Sequence, residues 1–123
     1  MRIVFTGSLL LLSLLASCAT PKPPPDAFAV AEKSIDAAVR AGAEQHAPVE
    51  LRFAREKLLE AQKGVEYKQY DKSFYLIEQS EINAELAIEK SRGAQVRAEV
   101  TALTRENEVL RQDFEATFGE SPQ

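Results

Sequence analysis

The sequence predicts an all-α protein, an antiparallel three-helix bundle whose long third helix runs on past its partners as a candidate coiled coil. Three observations carry that prediction. The 123-residue chain leans on Ala, Leu, Glu, Lys and Arg, with five Gly and no Trp, which favours helix over sheet. From Ala27 onward apolar residues return every three or four positions, the period of one helix face. The prolines fall before residue 26, at Pro48 and at Pro122, so they mark out the stretches that helices can occupy.

The first seventeen residues stand apart from the bundle. Met1-Arg2 is a short positive start, and Ile3 to Leu15 is apolar, softened by Thr6, Gly7, Ser8 and Ser13. That run is shorter than the roughly 20 residues a helix needs to cross a bilayer. Small residues then lead to Cys18, the only cysteine. Charge, apolar core and small-residue cleavage site make the tripartite pattern of a secretory signal. Leu15-Ala16-Ser17-Cys18 resembles the lipobox of bacterial lipoproteins. The resemblance implies a signal peptide over residues 1–17, cut before Cys18. It also implies a diacylglyceryl group on the Cys18 sulfur and an acyl chain such as palmitate on the new amine. Several acyl chains anchor a protein stably where one does not. The competing reading is an ordinary signal or anchor with a chance cysteine. Ala19 follows Cys18, and sorting in enteric bacteria then favours the outer membrane, periplasm-facing, over the inner membrane. Cleavage removes Arg2 alone among charged residues, taking the formal net charge from −4 to −5.

Residues 18–26 form the lipidated cysteine and a spacer. Thr20 to Asp26 (TPKPPPD) is too rich in proline for helix, and extends at about 3 Å per residue. Residues 27–92 form the bundle. Asp26 is placed as an N-cap for helix 1, whose stripe is Phe28, Ala31, Ile35, Ala38 and Gly42. The small side chains of AAVRAGAEQ permit close helix approach. This helix ends near Gln45-His46, because Pro48 disfavours α geometry at Ala47. Pro48 opens helix 2 at its first turn. Leu51, Ala54, Leu58, Ala61 and Val65 form its stripe with Val49 and Phe53 beside it, and it fades over Gly64 to Lys68. Asp71 caps helix 3, where Phe74, Ile77, Ala84 and Ile88 make a stripe that Ile82 and Leu86 widen.

No proline interrupts helix 3 before Pro122, so it reaches about Phe118, well beyond what helices 1 and 2 can cover. Gly93 marks the handover, with room for a bend. Residues 93–118 form the extended segment, and 119–123 a tail. In that segment Val96, Val100, Leu103, Asn107, Leu110 and Phe114 step by 4, 3, 4, 3, 4. Val100, Asn107 and Phe114 take the a sites of a heptad, and Val96, Leu103 and Leu110 the d sites. A lone Asn at a fixes register and favours two parallel strands. The alternative is a frayed amphipathic end, or one that docks on another protein. In an up-down-up bundle helices 1 and 3 are parallel, so copies tethered in one membrane would meet in parallel.

The stretch from Ala27 to Ser91 resembles a small helical lipoprotein domain known only as a domain of unknown function. The likeness rests on the Ala-rich first helix and Ala41-Gly42-Ala43. It continues through Ala47-Pro48 with Glu50-Leu51, Ala54-Arg55, and Leu58 with Ala61. Gly64, Tyr70 and Ala84 fit more loosely, and Ser73 departs from an expected Ala. Members of that family occur alone or fused to an OmpA-like peptidoglycan-binding domain. This sequence carries no such domain and no C-terminal Lys, so no covalent peptidoglycan link is expected. The resemblance implies fold and location, and no activity.

Nothing in the sequence assembles into a catalytic site. His46 is the single histidine and reads as a turn residue capping helix 1. Glu78, Glu81, Glu85 and Glu89 share a face of helix 3, and carboxylate pairs can work as acid and base or hold a hard cation. The di-iron type of helical site needs Glu-x-x-His, which is absent. A solvated acidic face, answered by Arg52 and Arg55, accounts for them. Tyr67, Tyr70, Phe74 and Tyr75 read as a plug for one end of a thin core, or else as an exposed aromatic tip. One cysteine permits neither an internal disulfide nor Cys/His metal spacing, and no basic run suggests nucleic acid. The expected function is a non-catalytic, lipid-anchored envelope scaffold or interaction module without cofactor or metal. Its partners are the membrane and either other envelope proteins or itself. The alternative is a carrier holding a small apolar ligand between helices.

Overall fold

The computed structural model describes residues 20–119. The signal segment 1–17, the lipobox with Cys18, and residues 120–123 of the tail lie outside the described residues. Four helices follow in order: α1 (Pro25–Arg40), α2 (Ala43–His46), α3 (Pro48–Glu66) and α4 (Tyr70–Phe118). Among the described residues there is no strand.

Each boundary has a local cause. α1 starts at Pro25, so Asp26 lies in the first turn and is not the cap, and the spacer is shorter than the sequence suggested. Proline suits that position because its missing N–H would have had no helical partner. Asp26 is favoured there by the positive end of the helix dipole. α1 also stops earlier than the composition implied. Gly42 sits at φ +83°, a left-handed geometry that ends helices and that glycine adopts at low cost. The N–H groups of Ala41 and Gly42 close the last turn onto Ala37 and Val39. What looked like the end of one helix is therefore a separate single turn, α2. Ala47, held out of α geometry at φ −145° and ψ 51° ahead of Pro48, separates it from α3.

α3 buries Leu51, Ala54, Leu58, Ala61 and Gly64, with Val65 only half-covered. Lys68 takes φ +56° in the turn that follows, and the Gln69 N–H reaches back to Gly64. α4 is flanked by Gln69; Asp71 lies inside its first turn and is not the cap. At 49 residues α4 is about 74 Å long, and it passes through Gly93 without a break.

α4 is the axis of the molecule. It packs most against α3, less against α1, while α1 and α3 meet little. Along the α3 contact, Gly64 lies beside Ser73, Ala54 beside Ser80, and Glu50 beside Lys90. Numbers fall on one helix as they rise on the other. Along the α1 side Thr20 meets Asp71 and Ala41 meets Gln95, so there they rise together.

The contact face of α4 is Ser73, Ile77, Ser80, Ala84, Ala87 and Ser91, a 4-3-4-3-4 stripe of mostly small side chains, with Leu76 buried beside it. Small residues let helix backbones approach closely. The Ser80 hydroxyl donates to the Ala54 carbonyl on α3 at 2.8 Å, and a Cβ placed on Gly64 would run into the Ser73 hydroxyl. The buried Ser73 and Ser91 hydroxyls donate one turn back, to Gln69 and Ala87. No buried side-chain N or O among the described residues lacks a partner, as low-dielectric packing requires. Large apolar residues expected to widen the core are instead on the surface: Val49, Phe53, Ile82 and Leu86 are each at least 41% exposed.

Candidate interaction surface

Beyond Gln95, whose amide donates to the Ala41 carbonyl at 3.0 Å, α4 leaves its partners. Every residue from Gln95 to Phe118 is exposed. All six seam positions, Val96, Val100, Leu103, Asn107, Leu110 and Phe114, share this exposure, from 50% at Leu103 to 64% at Phe114 among the apolar five. The sequence placed these residues on one face, and the structure leaves that face without a partner among the described residues.

The face extends further than the sequence reading had it. Counting back from Val96 in the same heptad register gives Gly93, Glu89, Leu86, Ile82, Gln79 and Tyr75. Tyr75, Ile82 and Leu86 are exposed large apolar residues. Two residues along a helix is roughly half a turn, so this row lies nearly opposite the buried stripe from Ser73 to Ser91. The signal was present in the sequence, but Glu89 and Gly93 interrupt it and make two patches of one row.

Beside the row, charges are arranged along the helix. Arg111 pairs with Glu108 at 2.8 Å and with Glu115 at 3.2 Å. Hydrogen bonds from Arg111 and then Gln112 lower the Glu108 carboxyl pKa below its ordinary value of 4.5. Phe114 and Phe118 pack ring to ring, centroids 5.1 Å apart. Between helices, Lys90 reaches Glu50, whose side chain is largely covered. This hydrogen bond is the main cause of a lowered Glu50 pKa. The sequence reading missed this pair because the residues are 40 positions apart.

The other candidates disperse. His46 stands exposed at the end of α2, where it cannot cap α1 as expected. Glu78, Glu85 and Glu89 are exposed and Glu81 is half-buried. Arg52 and Arg55 do not answer them: Arg52 pairs with Glu56, and Arg55 with Glu44 at the end of α1 and α2. The local partner for Glu89 is Arg92, one turn on, at 2.6 Å. Tyr67 is 75% exposed, Phe74 and Tyr75 are exposed too, and Tyr70 is only half-buried, so none of the four aromatic residues at the α3–α4 turn is buried in the core. There the small residues Gly64 and Ser73 close the gap instead. An open cleft of about 220 Å³ lies beside that turn, lined by Glu60, Lys63, Gly64, Tyr67, Gln69 and Lys72. Among the described residues no three His, Cys, Asp or Glu gather as a metal would need, and no helix is long and apolar enough to cross a membrane.

Neither a curated protein nor a solved structure matches the chain. A family profile does, over residues 26–103, which takes in α1 to α3 and α4 as far as Leu103. The chain belongs to the family described as domain of unknown function DUF4398.

Proposed function

We propose that this protein is a non-catalytic, lipid-anchored lipoprotein of the cell envelope that works as a periplasmic scaffold or protein-interaction module. In this reading Cys18 carries the lipid, residues 19–24 hold the domain off the outer membrane, and the helices form an antiparallel three-helix bundle. The observation that carries the reading is the exposed apolar row on distal α4. Monomeric proteins rarely leave such a contiguous patch uncovered without a use for it. A helix face of this kind is suited to docking another helix.

The carrier reading is the weaker one. The cleft at the α3–α4 turn is open and lies beside the turn, so it does not enclose a ligand between helices. The small residues between the helices are in direct contact, with serine hydroxyls bonded across or along them.

Lipidation is tested by feeding a labelled fatty acid to bacteria producing the full chain. Label should enter the protein and be lost in Cys18→Ala. Label retained in that variant would refute the anchor. Loss of partner cross-links on Leu103→Asp would support the interaction role of distal α4.

A further inference from the structure

The row has twelve positions, from Tyr75 to Phe114, spaced 4-3-4-3-4 throughout; ten are exposed, and Gln79 and Gly93 are half-buried. It divides into a distal block, Val96 to Phe114, and a proximal block of Tyr75, Ile82 and Leu86. The proximal block lies on the bundle part of α4 yet faces away from α1 and α3. A row that keeps a strict seven-residue repeat over this length matches a left-handed two-stranded coil, because a straight helix would drift about 20° per heptad. The helix need not hand over from bundle to coil at Gly93, since the two contacts use opposite faces.

The charges beside the row select its occupant. The g sites are Glu78, Glu85, Arg92, Glu99, Glu106 and Asp113. The e sites are Leu76, which is buried in the core, Asn83, Lys90, which also holds Glu50 in its own chain, Arg97, Thr104 and Arg111. In a parallel coil each g site meets the partner's e site of the next heptad. Glu85 then faces the partner's Lys90, and Glu106 faces the partner's Arg111. In an antiparallel coil g meets g and e meets e, which opposes acid to acid and base to base. Like charges there disfavour that arrangement. Among the described residues Glu106 makes no ion pair within the chain, so its charge is available. The parallel arrangement has two unfavourable places. Arg92 would face the partner's Arg97, and Glu89 would sit at d opposite its own copy. Both are moderated by the Glu89–Arg92 pair within each chain. Gly93, at a beside them, leaves space for these side chains. Asn107 at a would meet its own copy, which rewards this register alone.

We propose that the occupant of this face is a second copy of the same chain, laid parallel and in register along α4 from Tyr75 to Phe114, with the two bundles facing outward. The proposal rests on the interaction reading and names the partner of that surface.

Site-specific cross-linking of the full chain in intact cells tests it. Leu86→Cys, Leu103→Cys and, on the exposed side of α4 away from the row, Thr101→Cys are compared with the unsubstituted chain, which controls for Cys18. A parallel in-register pair brings both Leu86→Cys and Leu103→Cys against their own copies. Both should then yield a disulfide-linked homodimer under mild oxidation, several-fold above Thr101→Cys. Linkage at only one of the two overturns the full-length parallel row. Linkage at neither overturns the second copy as partner. In that event, a bifunctional maleimide joining Leu103→Cys to a different protein leaves the interaction reading standing. No product of any size at Leu103→Cys removes both.

Discussion

Where α4 meets α1 and α3, it presents Ser73, Ile77, Ser80, Ala84, Ala87 and Ser91, all buried. Roughly opposite, it presents Tyr75, Ile82, Leu86, Val96, Val100, Leu103, Leu110 and Phe114, all exposed. On this one helix only two large apolar residues, Leu76 and Ile77, are buried, and most of the others are on the surface. Closeness of approach explains the inner face. A serine that reaches a carbonyl of the next helix at 2.8 Å leaves no space for a larger side chain. The exposed apolar residues of the outer row add little to this packing, and the proposed contact with a second copy would account for their regular spacing. In this proposal fold and association use separate faces of one helix, so each can be perturbed alone.

The largest expected effect falls on the inner face. Ala84→Leu forces three extra heavy atoms into a fully buried contact, and overpacking of this kind costs about 1–3 kcal/mol or more. Thermal unfolding followed by circular dichroism should show a clear drop in midpoint. Leu86→Ala, two residues along and 45% exposed, should leave the midpoint of the dilute chain nearly unchanged. If the two substitutions cost the same, the separation of faces is wrong.

A smaller effect sharpens the account of close approach. Gly64→Ala pushes a methyl group onto the Ser73 hydroxyl, which must leave the Gln69 carbonyl it now holds at 3.0 Å. Removing that oxygen with Ser73→Ala leaves an ordinary contact of 3.6 Å to the Cβ. Alanine also gains about 1 kcal/mol of helix propensity over glycine. The double variant should therefore be the more stable, by roughly 1 kcal/mol, than Gly64→Ala alone. Additive behaviour in a double-mutant cycle would show that these residues do not touch as described.

The smallest effect is electrostatic and concerns the one ion pair that ties α4 to α3 among the described residues. The Lys90 hydrogen bond lowers the Glu50 pKa from 4.5. The stability this contributes is present above about pH 4.5 and is lost as the pH falls through the lowered value. Lys90→Met should lower stability slightly at neutral pH and not in strong acid, flattening the acid limb by that same small amount, because the lysine is half exposed. An unchanged acid limb would mean that the pair contributes nothing.

The three long helices were largely legible in the sequence, because proline and the apolar period act locally; the fourth, short helix α2 was not. The reach of α4 to Phe118 followed from the lack of proline after Pro48 until Pro122. The split at Gly42 was not legible, since a glycine at a helix interior site and one at a left-handed site look alike until the backbone is seen. Nor was the inner face of α4. Large residues such as Phe74 draw attention as core candidates, yet Phe74 is on the surface, and Ser73, Ser80 and Ser91 are buried. Serine is hidden this way only where its hydroxyl finds a carbonyl, which depends on the neighbouring turn or helix. The distal row was read correctly as a face, but its continuation to Tyr75 became clear only once the burial of the inner stripe showed which side of α4 was free.

The central claim is that the outer row of α4 serves association and not folding. Sedimentation equilibrium on the soluble chain from Ala19 onward, with and without Leu103→Asp, tests it most directly. The account predicts a dimer that the substitution converts to a monomer of the same helical content and the same unfolding midpoint in dilute solution. A strictly monomeric chain at high concentration, or a Leu103→Asp chain whose bundle unfolds, would contradict it.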